Sequence, residues 1–496
     1  MTPMLNARRL RGFQVVRFWI CKETMKVRDV IAMVEADGSH RQYGDPAKLG
    51  NLTAYGGLLP VATMREKLGF LQLVEEVLTV KGRTKAMTMP QFIQTMVLAN
   101  YIGFSRLYHL QFLQRESMLT AILGVLRLPP QSTFWRFLKS LHLTVAGQLL
   151  KVQTSMRQRV WEAANVQLRE ATLDTDTTVH TVFGNQMGAR KGYNPKNKGK
   201  KSFQPILTFV AETKEYVMGE LRNGDRPSGA QIARHLQNAV AALPATVKIV
   251  RVRADSGFYC WEAVEAYEKL GCQFILVARK TSRLVHRLQT EEWKPSPDTD
   301  ADQQREFSYQ PEGWGKAYRF LALRYEKKPE APAAGQPEQY QLFETANYIY
   351  RVFGTNMDAP LEALVWFYKQ RGGAENLIKE ANNDAGLTSH ASNPWAMNAV
   401  HFQIAMLAYN LNCWLLLFNR EGSESAETLR HTTLATSRLR FPYLAAKISR
   451  HAGRLSVHYS DHYEEKGLFQ RLMMRLRAVA GGADGFSPVI ADPLRC

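Results

Sequence analysis

The stretch ATLDTDTTVHTVFG, residues 171–184, indicates a β-strand with carboxylates in its middle. β-Branched residues favour strands, and successive side chains of a strand point to opposite faces of a sheet. Asp174 and Asp176 therefore share one face. Carboxylates within a strand are costly when buried unpaired, and a bound cation removes that cost. For an isolated Asp-x-Asp pair, a salt-bridged or edge-exposed strand is the simpler explanation. The other carboxylate motifs of the sequence therefore decide between this explanation and a cation site.

A second carboxylate follows the apolar stretch VKIVRVRAD, residues 247–255. The pattern predicts a strand that ends at Asp255, directly before Ser256 and Gly257. Active sites of α/β sheets collect at the carboxyl ends of strands, where loops can approach a ligand. Capping of the next helix by Asp255 is the alternative interpretation.

A third carboxylate lies in YKQRGGAENLIKE, residues 368–380, for which we predict a continuous helix. The positions i, i+3, i+7 and i+11 are occupied by Tyr368, Arg371, Glu375 and Lys379. At 3.6 residues per turn they form one polar stripe. A solvated face with a Glu375–Lys379 pair is the alternative. The adjacent Gly372 and Gly373 favour a functional role, because paired glycines weaken a helix unless something approaches closely.

These carboxylates are suited to divalent cations. Asp174 and Asp176 together with Asp255 and Glu375 could hold two ions about 3.5–4 Å apart. Oxygen-only ligands favour Mg²⁺, with Mn²⁺ as the other candidate. Arg371 would then bind DNA phosphates by a forked geometry and Lys379 as a point charge.

The segments around these motifs predict a mixed α/β sheet. Three strands, a helix, a strand, a helix and a strand follow one another from Glu170 to Arg279, an order used by ribonuclease-H-like domains. We divide the chain into a helical N-terminal DNA-binding domain, the first part of the ribonuclease-H-like core, a β-rich insertion, the second part of the core with the Glu375 helix, and a helical, basic C-terminal region. Their bounds are residues 1–165, 166–281, 282–359, 360–420 and 421–496.

The order DTDTT, RADSGF and Tyr-x-x-Arg-x-x-x-Glu after a β-rich insertion resembles the DDE insertion-sequence transposases with the Tyr-Arg-Glu-Lys signature. The resemblance implies that Asp176, which precedes the Thr pair, is the first catalytic carboxylate, with Asp255 and Glu375 as the others. Tyr368 and Arg371 match the signature. Asn382 stands where the signature has Lys, seven positions after Glu, and Lys379 lies one turn earlier.

The family resemblance implies cut-and-paste transposition with Mg²⁺. Water hydrolyses a phosphodiester at each terminal inverted repeat of double-stranded DNA, and the freed 3′-hydroxyl attacks further phosphates, including those of the target. Two joined ends imply a homodimer at synapsis. Members with a DNA hairpin intermediate flip a base onto a Trp of the insertion. Trp314 is the candidate here, with Trp293 and a plain core role as alternatives.

The net charge points to a polyanionic partner. The 64 Lys and Arg residues exceed the 45 Asp and Glu residues, which gives a net charge of +19. No acidic residue occurs between Asp176 and Glu212. The basic loop in this stretch contains Arg190, Lys191, Lys196, Lys198, Lys200 and Lys201. A solvated loop is the ordinary explanation, but the position beside the first carboxylate favours a clamp on the DNA backbone.

Two further basic segments stay open. Residues 117–126 and 131–141 form either a helix-turn-helix reader, with Arg136 and Lys139 on its second helix, or part of a helical packing domain. Residues 428–458 contain several Arg and Lys residues and no acidic residue. These residues could bind DNA or a partner subunit, or they could lie on the solvent-exposed faces of helices without a binding role.

The remaining features indicate an intracellular protein. The five cysteines form no Cys-x-x-Cys pair, which is typical of reduced thiols in the cytosol. The apolar residues 402–418 include Gln403 and Asn410 and predict a buried core helix instead of a membrane span. We expect a bacterial cytoplasmic, nucleoid-associated protein with no membrane partner. A nuclease that cuts without joining, a catalytically silent DNA-binding protein and an RNA-binding protein are the rival hypotheses.

Overall fold

The structure is a computed structural model that describes residues 18–19, 52–79, 87–290, 292–327, 343–344, 347–420, 431–451, 454–460 and 463–480. The chain separates into two compact units. The first unit is Met1–Asn165, Glu380–Ser423 and Arg430–Cys496, and the second unit is Val166–Lys379 and Glu424–Leu429. One boundary between the units follows Asn165, and another follows Lys379, within residues 360–420.

The helices have the following bounds: α1 Leu59–Lys67, α2 Phe70–Val77, α3 Met89–Tyr101, α4 Ser117–Leu123, α5 Gln131–Ser140, α6 Thr144–Ala163, α7 Gly229–Ala241, α8 Trp261–Lys269, α9 Ser282–Thr290, α10 Leu361–Lys369, α11 Gly372–Asn383, α12 Trp395–Asn419, α13 Leu434–Arg440 and α14 Lys466–Ala478.

The strands have the following bounds: β1 Phe18–Trp19, β2 Leu52–Thr53, β3 Glu170–Thr177, β4 His180–Thr181, β5 Arg190–Lys191, β6 Lys201–Phe203, β7 Ile206–Val210, β8 Tyr216–Glu220, β9 Ile249–Ala254, β10 Gln273–Val277, β11 Lys294–Pro295, β12 Gln303–Tyr309, β13 Tyr318–Glu326, β14 Phe343–Glu344, β15 Tyr348–Thr355, β16 Ala446–His451 and β17 Arg454–Ser460.

The second unit is built on one large sheet with the strand order β11-β12-β13-β15-β10-β9-β3-β7-β8. Strands β3, β9 and β10 are parallel neighbours, and β7 pairs antiparallel with β3. The predicted succession of three strands, helix, strand, helix and strand is found in β3, β7, β8, α7, β9, α8 and β10. In this register Thr175 lies opposite Ala254. Asp176 and Asp255 consequently stand at the same end of two adjacent parallel strands.

The predicted β-rich insertion extends this sheet. Strand β15 pairs antiparallel with β10, and β13 and β12 continue outward from it. The prediction of a β-rich insertion did not include the helix α9 at the start of this region. The helix buries Leu284 and Leu288, one turn apart, and Val285 is half-buried. Three apolar residues in nine give too short a periodic pattern to reveal the helix.

The continuous helix predicted over residues 368–380 is also wrong. Helix α10 ends at Lys369 and α11 begins at Gly372, with a turn at Gln370 and Arg371 between them. The glycine pair that follows this turn has the low helix propensity expected at a break. The break separates Tyr368 and Arg371 from the helix that carries Glu375.

The first unit is organised around α12, which packs against α3 and α6. This helix is long and apolar enough to cross a membrane, yet 94% of its most apolar window is buried inside the protein. The prediction of a buried core helix is confirmed. Its polar residues are paired within the core: Gln153 of α6 donates to Gln403 Oε1 at 3.1 Å, and Asn410 donates to Gln153 Oε1 at 3.0 Å.

The C-terminal region is not wholly helical, contrary to the sequence prediction. Strands β16 and β17 form an antiparallel hairpin, followed by α14. Buried side chains alternate along β16, at Ala446 and Ile448, whereas Val457, His458 and Tyr459 of β17 are all buried. The period of two in β16 is a strand signal that the high density of Arg and Lys conceals.

The buried hydrogen bonds of Gln153 are expected to stabilise the first unit. Gln153→Ala leaves the polar groups of Gln403 and Asn410 short of a partner in the core, so we expect the free energy of unfolding to fall by about 1–3 kcal/mol. Urea denaturation monitored by circular dichroism measures the change. Gln158→Ala, at an exposed position of the same helix, is the matched control and should cost less than about 0.5 kcal/mol. Equal losses in the two variants would contradict the assignment.

Candidate active site

Two of the predicted carboxylates come from strands of the large sheet. Asp176 lies near the carboxyl end of β3 and its side chain is 16% exposed. Its Oδ1 accepts a hydrogen bond from the Thr177 amide at 2.7 Å. Asp255 follows β9 directly, and its Oδ1 accepts from the Gly257 amide at 2.9 Å. Asp255 thus caps the short 3-10 turn Ser256–Phe258, as the capping alternative predicted, and also stands beside the first carboxylate.

Glu375, in the first turn of α11, brings a third negative charge to this place. Burial raises the pKa of Asp176 to about 6. The guanidinium of Arg371 opposes this pKa shift, and the charges of Asp255 and Glu375 reinforce it. Since like charges disfavour ionisation only when they are close, Asp255 and Glu375 lie near Asp176.

Arg371 balances this charge. Its Nη2 lies 2.9 Å from Asp176 Oδ2, and the side chain is 9% exposed. Burial lowers the pKa of Arg371, but the charges of Asp176, Tyr368 and Asp255 raise it, and the net shift is upward. Nη2 also lies 3.5 Å from the carbonyl oxygen of Thr175, at the limit of a hydrogen bond. Arg371 is therefore held as a cation against the first carboxylate.

The donor chemistry of the site fits a divalent cation. Carboxylate oxygens are the ligands that Mg²⁺ and Mn²⁺ prefer. Within the described part of the chain, however, no three His, Cys, Asp or Glu side chains are arranged closely enough to hold an ion. The position of Arg371 accounts for this, because its guanidinium supplies the counter-charge to Asp176 that an ion would supply.

Asp174 has a different role from Asp176. Arg253 Nε and Nη2 donate to the two oxygens of Asp174, both at 2.7 Å, and both side chains are almost fully buried. Arg253 also donates to the carbonyl oxygen of Phe367 at 2.8 Å and lies over the Phe367 ring. The pair thereby joins β3, β9 and α10. Both oxygens of Asp174 are engaged, which favours a supporting role over ion binding.

Arg253 is a residue that the sequence interpretation missed. The available signal was the alternation in VRVRAD, which places Arg253 inside a buried parallel strand. A cation there needs an anion on the neighbouring strand. Register makes Asp174 that neighbour.

Tyr368 and Lys379, two further residues predicted from the sequence to belong to the site, differ in exposure. Tyr368 is 7% exposed and packs in the hydrophobic core, with its ring 4.8 Å from that of Phe353. Burial raises the pKa of its hydroxyl group, and so do the nearby charges of Asp255 and Asp176. Lys379 is exposed on α11. A DNA contact by either residue stays a prediction.

The family follows from comparison with known sequences. The family described as transposase DDE domain group 1 matches residues 47–480. The chain belongs to this family. It is an enzyme of the transposase and endonuclease class, and DDE transposases generally use divalent metals.

Comparisons with curated proteins and with solved structures gave different results. No curated protein matches the transposase. Twelve chains of solved structures match. Among them is the cryo-EM structure of the piggyBac transposase synaptic complex with hairpin DNA, with a TM-score of 0.43 and 12% identity over 85% of this chain and 82% of that chain.

Trp314 of the transposase lies in an aromatic cluster. It is 7% exposed, and its ring contacts those of Tyr259, Trp261 and Tyr318 at centroid distances of 4.9, 6.2 and 5.6 Å. Tyr259, Trp261 and Trp314 line a cavity of about 600 Å³, and Arg279 lines it as well. We call this space the aromatic cavity. Arg279 donates to the carbonyl oxygen of Ser256 at 3.2 Å, which places the cavity next to Asp255.

The other candidate Trp and the cavity arginine have distinct surroundings. Trp293 donates to the carbonyl oxygen of Leu288 at 3.0 Å and lies under the guanidinium of Arg324. It does not line the aromatic cavity. Arg279 was not predicted as a site residue. Its signal was a cation directly after the apolar strand sequence FILVA.

The basic loop belongs to a small sheet with the order β4-β6-β5, which follows Asp176 in the chain. Arg190 pairs with Asp225 at 2.6 Å. The five lysines at 191, 196, 198, 200 and 201 are exposed. The loop is therefore a surface cation cluster, as both sequence interpretations require.

The other basic segments lie in the first unit. Arg136 and Lys139 are exposed on α5, and a reader function for this helix stays a prediction. In the C-terminal segment Arg438 is 7% exposed and donates to the carbonyl oxygens of Tyr101, Asn100 and Asp384. Arg438 therefore stabilises the unit, and residues 428–430 and 452–453 of that segment lie outside the described residues.

The Asp174–Arg253 pair predicts a specific stability pattern. Arg253→Met leaves a buried carboxylate without its partner, so we expect a loss of about 3–5 kcal/mol in the free energy of unfolding. Adding Asp174→Leu removes that unpaired charge and should recover most of the loss. Guanidinium denaturation of the purified variants measures both values.

A matched control comes from the same strand. Arg251 pairs with Glu170 at 2.5 Å, but both side chains are at least one-third exposed. Arg251→Ala should cost at most about 1 kcal/mol, because exposed pairs are screened by solvent. A double variant as unstable as Arg253→Met alone would show that the pair is not what holds these strands.

Proposed function

We propose that this transposase binds the terminal inverted repeats of its element and performs Mg²⁺-dependent hydrolysis and strand transfer at Asp176, Asp255 and Glu375. The observation that carries the proposal is that Asp255, at the same end of the adjacent parallel strand, and Glu375, in the first turn of α11, lie close enough to Asp176 for their charges to raise its pKa. The strand order of the second unit supports a ribonuclease-H-like catalytic domain.

In the proposed reaction the three carboxylates hold two Mg²⁺ ions, with Mn²⁺ as a substitute. When bound, the ions activate the attacking oxygen and stabilise the leaving one. In hydrolysis, the oxygen of water forms a bond to phosphorus as the bond to the 3′-oxygen breaks, and that oxygen takes up a proton. In joining, the freed 3′-hydroxyl loses its proton and its oxygen forms a bond to the phosphorus of a target phosphodiester. The bond from that phosphorus to the 3′-oxygen of the target strand breaks, and the released oxygen takes up a proton.

The cationic side chains hold the DNA in this proposal. Arg371 leaves Asp176 for a phosphate, which its forked guanidinium can bind through two hydrogen bonds. Tyr368 positions Arg371, and Lys379 takes the place of the signature lysine. The open space around Gly372 and Gly373, where an added Cβ would meet nothing within 4 Å, leaves room for a backbone to approach. The basic loop extends these contacts along the duplex.

The aromatic cavity is the proposed place for a flipped base during a hairpin step. Its volume, Trp314 and Arg279 suit an aromatic ring and its phosphate. We further propose a homodimer at synapsis, acting on nucleoid DNA in the bacterial cytoplasm.

Nicking and joining of inverted-repeat DNA test the proposed function. With Mg²⁺ and labelled duplexes from the DNA flanking the gene, we expect Asp176→Ala, Asp255→Ala and Glu375→Ala each to abolish both reactions, because each removes a metal ligand. Gel analysis separates nicked from joined products. Glu265→Ala, in an exposed Glu265–Lys269 pair on α8, is the control and should keep wild-type rates.

Cleavage that survives all three substitutions would exclude the proposed site. Wild-type cleavage with no joined product, at any metal or target concentration, would support the nuclease hypothesis instead.

Arg371 makes a separate prediction about metal binding. Arg371→Gln removes the cation that competes at Asp176, so without DNA we expect Mn²⁺ to raise the Tm of this variant more than that of the wild type. Arg371→Lys retains a positive charge and should resemble the wild type. An Mn²⁺-induced shift that is smaller in Arg371→Gln would contradict competition.

The same Mn²⁺-induced rise in Tm depends on pH. Asp176 must lose its proton to bind an ion, and its raised pKa of about 6 sets the range. We expect the full rise above about pH 7 and little below about pH 5. A rise independent of pH would exclude Asp176 as a ligand.

A further inference from the structure

Apolar side chains stand exposed in and beside the basic loop. Phe183 has an exposure of 82%, the highest of the large hydrophobic side chains that the structure describes. Tyr193 is 68% exposed and Met187 is 58% exposed. Such an exposed aromatic group costs solvation free energy, and clustering of several in eleven residues marks an interaction surface.

Strand register places the backbone of Phe183 and of Tyr193 at the same end of the small sheet. The Val182 amide donates to the carbonyl oxygen of Lys201, and Lys191 lies opposite Lys201 from the other side. Since β4 and β5 both run antiparallel to β6, the chain leaves both strands at this end, where Phe183 and Tyr193 follow. Two strand spacings, about 10 Å, separate the backbones of β4 and β5.

The loop that carries Tyr193 is fixed in shape. Asn194 and Asn197 both donate to the Thr181 hydroxyl, at 3.0 and 3.2 Å, and the Asn197 amide donates to Asn194 Oδ1 at 3.1 Å. At Gly192 an added Cβ would lie 2.0 Å from the carbonyl oxygen of Gly224. The small sheet therefore packs tightly on that segment, and the exposed side chains project from a preorganised base.

The positive charge around the rings of Phe183 and Tyr193 indicates what kind of partner this surface binds. Five exposed lysines surround them, so a second copy of the same surface would set lysine against lysine in a symmetric contact. A partner that is anionic outside and aromatic inside satisfies both the lysines and the rings. Double-stranded DNA has this combination.

We propose that Phe183 and Tyr193 form a wedge that enters a base step of duplex DNA while the lysines of the basic loop hold the flanking phosphates. Apolar side chains inserted between base pairs unstack them and bend the duplex. Because the small sheet follows Asp176 directly in the chain, the wedge acts beside the site of cleavage. The inference rests on the proposed function, since it requires a protein that binds DNA.

Salt-dependent binding separates the wedge from the lysines. With the full-length protein and a mixed-sequence duplex, we expect Lys198→Ala to reduce the slope of log K against log salt by about 0.9. Phe183→Ala and Tyr193→Ala should each weaken binding roughly tenfold at every salt concentration and leave the slope unchanged, as loss of base stacking does. Phe183→Trp should retain wild-type affinity.

A spectroscopic readout reports the wedge directly. We expect the emission of 2-aminopurine, placed at successive positions of the duplex, to rise at some position on binding of the wild type but not of Phe183→Ala. Ile249→Ala is the control, because Ile249 is an exposed apolar residue at the opposite end of β9 from Asp255. It should change neither affinity nor emission.

The outcomes separate the wedge from the proposed function. Wild-type protein that binds no duplex at any salt concentration overturns both. Binding that depends on Lys198 but not on Phe183 overturns the wedge alone. Phe183→Ala that lowers self-association in sedimentation, with DNA affinity intact, assigns the patch to a second copy of the chain and also overturns the wedge.

Discussion

The negative charge of three partly buried carboxylates is the constraint on which the second unit depends. Adjacent parallel strands bring Asp176 and Asp255 together, and α11 adds Glu375. Such a group is unfavourable without positive charge, which Arg371 supplies at 2.9 Å. The turn between α10 and α11 is what lets Arg371 face β3 while Glu375 stays on a helix. The positive charge of Arg371 thus partly neutralises the carboxylates while they stay close to one another.

A second, more deeply buried ion pair fixes the two strands that carry Asp176 and Asp255. Asp174 and Arg253 hold β3 and β9 in the register that aligns the two strand ends. A buried pair of this kind contributes little net stability but strongly penalises other pairings, because a shift in register leaves charges unpaired. The neighbouring Thr175 is bonded to Thr208, which in turn contacts His235, so the polar residues of β3 are paired on both sides.

The sequence predicted the succession of strands and helices from β3 to β10 and the buried character of α12, because each produces a local pattern: β-branched residues in the strands and an unbroken apolar run in the helix. It did not predict α9, whose two buried leucines leave little periodicity, or the turn at Gln370 and Arg371. It also could not assign Asp174 to Arg253, since that contact joins residues 79 positions apart. Long-range pairing requires the register of the folded sheet.

The joining of the insertion to the core sheet limits how this enzyme can be shortened. Strand β15 occupies the edge of β10, whose Phe274, Ile275 and Leu276 are fully buried. A chain lacking residues 282–355 would present that apolar strand with unpaired amides and carbonyls, a template for association with other chains. The insertion therefore serves as an edge cover as well as a wall of the aromatic cavity. Its removal should yield aggregates, so a minimal catalytic domain has to retain β15.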